Sequence, residues 1–196
     1  MSRLNTTLKL SLIIFFSFLL YAPPIFSTTI NEWCNVTLYK SLCFESLSPY
    51  AWYINKNPTQ RQVCKLALAL SLKHTKYTHK LVTQNVNSLA KSSSKNTSEY
   101  LGECSTLVAN SVDILNGSLS VLSNSGSPGS ENYKMRINNV QHFVSTALTN
   151  AAECKDSLAN TYIGNARNVL KKEVKYVSVL TSNALAICNK LAPNYD

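Results

Sequence analysis

Six cysteines, three histidines and ten carboxylates are the side chains through which this chain could do chemistry. Catalysis would need some of them at short, defined spacings. His74 and His79 are interleaved with Lys73, Lys76 and Lys80, and read as a solvated basic face. His142 flanks an apolar stripe and reads as a surface or boundary residue. The carboxylates are scattered, with no close Asp/Glu pair on one face. The sequence contains no Gly-rich phosphate loop, no Gly-x-Ser-x-Gly nucleophile turn and no His-Glu-x-x-His helix. No Cys-x-x-Cys or adjacent histidine gives the spacing of a zinc site. The expectation is no catalytic residue, no metal and no cofactor, hence a protein that works through a surface.

What the cysteines do depends on the compartment. Arg3 and Lys9 precede an eleven-residue apolar run, Leu10–Leu20. That is too short for a membrane span and the right length for a signal-peptide core. Pro23 and Pro24 break it, and the small Ser27 offers a cleavage point, so residues 1–27 read as a signal peptide and 28–196 as the mature chain. Cleavage after Ala22 would leave Pro23 first, which is unfavourable; an uncleaved anchor is the other alternative. No later stretch is apolar enough to span, so the mature form has no membrane partner. Secretion permits disulfides. It also exposes three glycosylation sequons, at Asn35, Asn96 and Asn116.

The elements come from period. Leu101, Cys104, Val108, Ser111, Leu115, Ser118 and Leu122 step by three and four; so do Ile137, Val140, Val144, Ala147, Ala151, Cys154 and Leu158. Leu170, Val174, Val177, Thr181, Ala184, Cys188 and Leu191 repeat the pattern. Val63, Ala67, Leu70, Tyr77 and Leu81 follow it with His74 interrupting. This is the seam of packed helices. Thr59 with Gln62 forms a capping-box signature after Pro58; Lys91–Lys95, Gly126–Ser130 and Gly164 are breakers, and Pro193 follows the last helix. Helices over 60–88, 98–123, 131–159 and 166–191 follow, each about 40 Å long. Four equal helices with short loops pack up-down-up-down, an all-α four-helix bundle. Residues 28–57, with Trp33, Pro49 and Trp52, form a separate N-terminal arm.

In such a bundle Cys104 and Cys154 fall level on antiparallel neighbours. Cys64 and Cys188 fall level on the first and last helices, and Cys34 and Cys43 are close in sequence. The expected pairs are 34–43, 104–154 and 64–188; the alternative for Cys64 and Cys188 is that they are two buried free thiols.

Charge bounds the partners. Charged residues are 15% of the chain, and 19 Lys+Arg against 10 Asp+Glu give +9. Loss of Arg3 and Lys9 with the leader leaves 17 − 10, or +7. Much of the polar surface falls to Ser, Thr and 21 Asn. A basic surface accepts an acidic polysaccharide or anionic lipid. Nucleic acid is disfavoured by secretion and by the lack of basic–aromatic interleaving.

Three blocks carry a resemblance. Cys34-Asn35-Val36-Thr37-Leu38-Tyr39-Lys40-Ser41-Leu42-Cys43 resembles the Cys-x-x-Thr-x-Tyr-Pro-x-x-Cys opening of the plant invertase and pectin methylesterase inhibitor family, with Lys40 in place of Pro. Residues 137–149 followed by Cys154 resemble its Val-x-x-Ala-Leu-Thr…Cys helix. Leu180-Thr181-Ser182-Asn183-Ala184-Leu185-Ala186 is similar to its closing helix. The resemblance implies a four-helix bundle preceded by a disulfide-closed helical hairpin, with bridges 34–43 and 104–154. Cys64 and Cys188 are additions to that pattern.

The resemblance also implies inhibition without catalysis. Pectin methylesterase inhibitors of the family form a reversible one-to-one complex that covers the enzyme's pectin-binding cleft. Invertase inhibitors of the same fold insert a Pro-Lys-Phe turn between the second and third helices. Here that region reads Gly129-Ser130-Glu131-Asn132-Tyr133-Lys134-Met135-Arg136, without the Pro or the Phe, which favours pectin methylesterase over acid invertase. The family's acidic second helix is reduced to Thr106, Asn110 and Asp113, of which only Asp113 is charged. Those three residues, with Asn138, Gln141 and Ser145 on the third helix, are the expected partner contacts. The expected location is the apoplast and cell wall. Weak binding to acidic pectin is a further expectation, and a non-inhibitory wall adaptor is the remaining alternative.

Overall fold

The computed structural model describes residues 25–53, 58–89 and 95–191. The leader up to Pro24, the loop at 91–94 and Pro193 lie outside the described residues. Among the described residues there are six α-helices and no strand. A short pair comes first: α1 (Ile25–Cys34) and α2 (Lys40–Leu47), followed by a 3-10 turn, Ser48–Tyr53. Four long helices follow: α3 (Gln60–Leu89), α4 (Lys95–Ser123), α5 (Tyr133–Ala159) and α6 (Asn165–Asn189).

The ends form where the sequence chemistry requires. The Thr59 N–H donates to Gln62 Oε1 at 2.8 Å and the Gln62 N–H donates to Thr59 Oγ1 at 3.3 Å, so two orphan donors are satisfied reciprocally. Gly126 (φ +78°), Gly129 (φ +89°) and Gly164 (φ +56°) turn the chain through the left-handed region between α4 and α5 and ahead of α6.

Each long helix packs on its neighbours in the chain, and α3 closes the ring against α6. Every seam position read for α4, α5 and α6 is buried. The first long helix departs from its reading. Val63, Ala67 and Leu70 are buried, but Tyr77 is 52% exposed and Leu81 only half-buried. Its inward stripe instead runs Cys64, Leu68, Ser71, Thr75, Thr78 and Val82. Hydroxyls replace hydrocarbon through the middle of that stripe, so a pattern traced by apolar residues drifts to the wrong face.

Those hydroxyls belong to a belt across the bundle. Ser71 and Thr181 pair at 2.7 Å between α3 and α6. Thr75, Ser111, Ser118 and Thr181 each donate to the carbonyl four residues back, which lets a polar side chain sit in a dry seam. The larger apolar cluster lies toward the N-terminal pair and the α4–α5 loop; the smaller one surrounds Val82, Leu101, Leu158 and Leu170.

Three disulfides tie the layers: Cys34–Cys43 across the N-terminal pair, Cys104–Cys154 between α4 and α5, and Cys64–Cys188 between α3 and α6. The α1–α2 pair rests on α6 and α3. Its turn is pinned by Asn183, whose side chain accepts from the Tyr39 N–H at 3.3 Å and donates to the Tyr39 carbonyl at 3.1 Å. Asn183 is buried, and its one amide supplies the acceptor for the Tyr39 N–H and a second donor to the Tyr39 carbonyl, which also accepts the Cys43 N–H at 2.9 Å.

Candidate partner-binding faces

The outward side of α4 is built by default. With Cys104, Val108, Ser111 and Leu115 committed inward, positions half a turn away must face water. Thr106, Asn110 and Asp113 occupy those positions and are exposed in one row. The Thr106 hydroxyl already donates to the Gly102 carbonyl at 3.1 Å, which leaves its lone pairs for a partner.

On α5, Asn138 and Ser145 are exposed and Gln141 is half-buried. The Cys104–Cys154 bridge sets the register, bringing Ser145 level with Asp113. Asn150 and Ser157 mark the flank of α5 that meets α4, through bonds to the Leu107 carbonyl and to Glu103. At 100° per residue, Gln141 lies on the opposite flank. The structure thus puts Thr106, Asn110 and Asp113 in one row on α4, whereas Ser145 is level with Asp113 but about 140° round α5 from the flank that meets α4, close to Gln141.

The carboxylates are not scattered. Glu103 and Glu153 each precede a cysteine of the same bridge, so the register folds them onto one end of the α4–α5 edge. Glu99 and Asp156 join them one turn away, and all four are exposed. The Glu103 carboxylate accepts the Ser157 hydroxyl at 2.8 Å. Lys155 reaches Asp156 only at 4.0 Å, in solvent, which is worth little. The signal was in the sequence, as Glu-Cys twice, but it required the pairing of the two cysteines to be read.

The charge divides by helix pair. On α3 and α6 there are nine Lys and Arg against Glu173 alone; on α4 and α5 there are four against five carboxylates. The net positive charge therefore sits on one edge of the bundle, and the opposite edge is slightly acidic.

The α4–α5 loop closes on the end of the bundle. Arg61 donates to the Gly126 carbonyl and lies 5.6 Å over the Tyr133 ring, and Tyr133 donates to the Leu191 carbonyl at 3.4 Å. Gly129, Ser130, Tyr133 and Lys134 line a cavity there with Thr59, Arg61 and Leu191.

His74 is half-buried between α3 and α6, edge-on to Tyr176 at 4.9 Å between ring centres, so it is not part of a fully solvated face. Burial, and then the Lys73 charge, lower its pKa below the usual 6.5, with Glu173 opposing. His79 is half-buried and His142 exposed. The sequon residues Asn35, Asn96 and Asn116 are all exposed. Among the described residues no cluster of three His, Cys, Asp or Glu is placed to hold a metal, and no helix is long and apolar enough to cross a membrane.

Residues 28–187 match the family model described as plant invertase/pectin methylesterase inhibitor. The chain belongs to that family, one of inhibitors rather than of catalysts. Pectinesterase inhibitor 9 of Arabidopsis thaliana is 36% identical over 81% of this chain and 78% of its own length. Pectinesterase inhibitor 10 of the same plant is 35% identical over 83% of this chain, which spans about half (51%) of that relative. Among solved structures, a mutant form of a pectin methylesterase inhibitor from Arabidopsis superposes with a TM-score of 0.64 at 18% identity, covering 82% of this chain and 95% of that one. That likeness establishes the shared bundle.

Proposed function

We propose that this chain is a secreted inhibitor of pectin methylesterase, acting in the apoplast through a reversible one-to-one complex that covers the pectin-binding cleft. Thr106, Asn110 and Asp113 face the enzyme, and an interface that wraps the outer face of α5 brings in Asn138, Ser145 and, on its far flank, Gln141. The names of the relatives support the target. The observation that carries the reading is the division of charge. A mature charge of +7 argues against docking on a basic enzyme, but that excess resides on α3 and α6. The α4–α5 edge offers Glu103, Asp113 and Glu153, so long-range steering toward a cationic surface is retained where contact is proposed. The leader directs the chain to secretion, and Asn35, Asn96 and Asn116 are its glycan acceptors.

The test is titration of plant pectin methylesterases, basic and acidic, with protein secreted from a eukaryotic host, at mildly acidic pH. Stoichiometric inhibition and a co-eluting complex are expected. Asp113→Lys with Glu103→Lys should weaken inhibition of a basic enzyme about tenfold or more. Full esterase activity at saturating protein would overturn the reading. Inhibition of acid invertase instead would assign the other branch of the family. Inhibition of neither would leave the wall adaptor.

A further inference from the structure

The opposite edge of the bundle carries a second feature. Between α3 and α6 lies an open cavity of about 640 Å³ floored by the rings of His74, Tyr77 and Tyr176, with Leu42 from α2 and Val179 at one end. Lys73 stands on one wall and Lys172 and Lys175 on the other. Glu173 is the only carboxylate that lines it. The register fixed by Cys64–Cys188 and Ser71–Thr181 places Lys80 level with Lys172 and Tyr77 level with Lys175. Lys76 and Lys80 follow on α3 within about 10 Å of Lys73 along the axis, outside the groove's lining, and add to the positive field around it. None of these lysines makes an ion pair among the described residues; Lys73 donates to the Tyr50 hydroxyl at 3.4 Å. Cations left unpaired on both walls of an aromatic floor repel one another, an arrangement that an anion relieves.

We propose that this groove binds an acidic oligosaccharide, a run of uronic acid units whose carboxylates meet the lysine walls and whose C–H faces rest on the tyrosines. The shape selects this occupant. A membrane surface needs rings that protrude, whereas these rings line a concavity. A small anion would use the lysines but not the apolar floor. A sugar chain has both flat apolar faces and regularly spaced charge. The groove lies on the α3–α6 edge, across the bundle from the α4–α5 edge assigned to the enzyme, so both can be occupied at once.

The experiment is calorimetric titration of the secreted protein with fully de-esterified oligogalacturonide, its fully methyl-esterified counterpart, a neutral glucan oligomer, double-stranded DNA and anionic phospholipid vesicles. Binding is expected to the de-esterified oligomer, to weaken with added salt, and to be lost on methyl esterification. Lys172→Gln with Lys175→Gln, and separately Tyr77→Ala, should each weaken it about tenfold. Esterase inhibition by these variants should be unchanged. All three positions are exposed, so the variants should keep the parent melting temperature. Equal binding to DNA or vesicles, or lysine variants that weaken binding while Tyr77→Ala does not, would reduce the groove to a general cationic patch and overturn the proposal. No binding to the de-esterified oligomer would overturn it outright, whatever the esterase assay shows.

Discussion

Removing the Cys64–Cys188 bridge tests how the bundle is closed. It joins the first and last long helices across 124 residues, with both sulfurs fully buried and the α-carbons 5.1 Å apart. The chain-entropy relation gives about 5 kcal/mol for a loop of that length. Cys104–Cys154 short-circuits it, leaving about 40 residues on one side and about 34 on the other, and the value falls to about 4.5 kcal/mol. The same relation gives about 4 kcal/mol for Cys104–Cys154 alone and about 2.6 kcal/mol for Cys34–Cys43. In Cys64→Ala with Cys188→Ala, the sulfurs are also lost from a closely packed site, which adds to the cost. At roughly 2–4 °C per kcal/mol for a domain of this size, the melting temperature should fall by about 10–18 °C. The assay is guanidinium unfolding followed by circular dichroism, with mass mapping of the unreduced parent. Alkylation of Cys64 without reduction would refute the bridge. A loss below about 1 kcal/mol, or a larger loss on removing Cys34–Cys43, would refute the loop-length reasoning.

Three further outcomes follow from particular side chains. Asn183→Ala removes the acceptor of the Tyr39 N–H and one of two donors to the Tyr39 carbonyl, which keeps the Cys43 N–H, and should cost about 1 kcal/mol, read as faster hydrogen exchange in the α1–α2 turn than in the bundle; uniform exchange would contradict the pinning role. Thr78 is buried and its hydroxyl has no partner among the described residues, so Thr78→Val should be neutral or stabilise by about 1 kcal/mol in denaturant titration, and a loss would mean that the hydroxyl is satisfied. His74 has a folded-state pKa below 6.5, so the folded chain binds fewer protons than the unfolded one. Its contribution is present above that pH and is lost as pH falls through the folded value. His74→Gln should therefore gain stability relative to the parent on going from pH 7 to pH 5. A flat or opposite difference would refute that environment for His74.

The seams of α4, α5 and α6 were legible because leucine, valine, isoleucine and cysteine mark most steps, so an intervening Ser, Thr or Ala does not break the period. The seam of α3 was not. Thr75 and Thr78 look like surface residues in a sequence, and only back-bonding to the helix or burial in the belt makes them interior. Tyr77 reads as core by its bulk, yet it is a groove residue, because α6 meets α3 on the adjacent stripe. Asn183 was legible as a motif letter, but not as the residue that holds Tyr39, 144 positions away.

Period, capping and breaker residues are local properties, and they determined four long helices, their ends and the all-α class. The cysteine spacing together with antiparallel packing was enough to propose which cysteines pair. The grouping of charge was a different matter. Glu103 and Glu153 become neighbours, and Lys73 comes to line one groove with Lys172 and Lys175, only once the antiparallel registers are set. Register is fixed by the packing of whole seams, and so tertiary structure decided that one net-basic sequence folds with a slightly acidic edge and a strongly basic one.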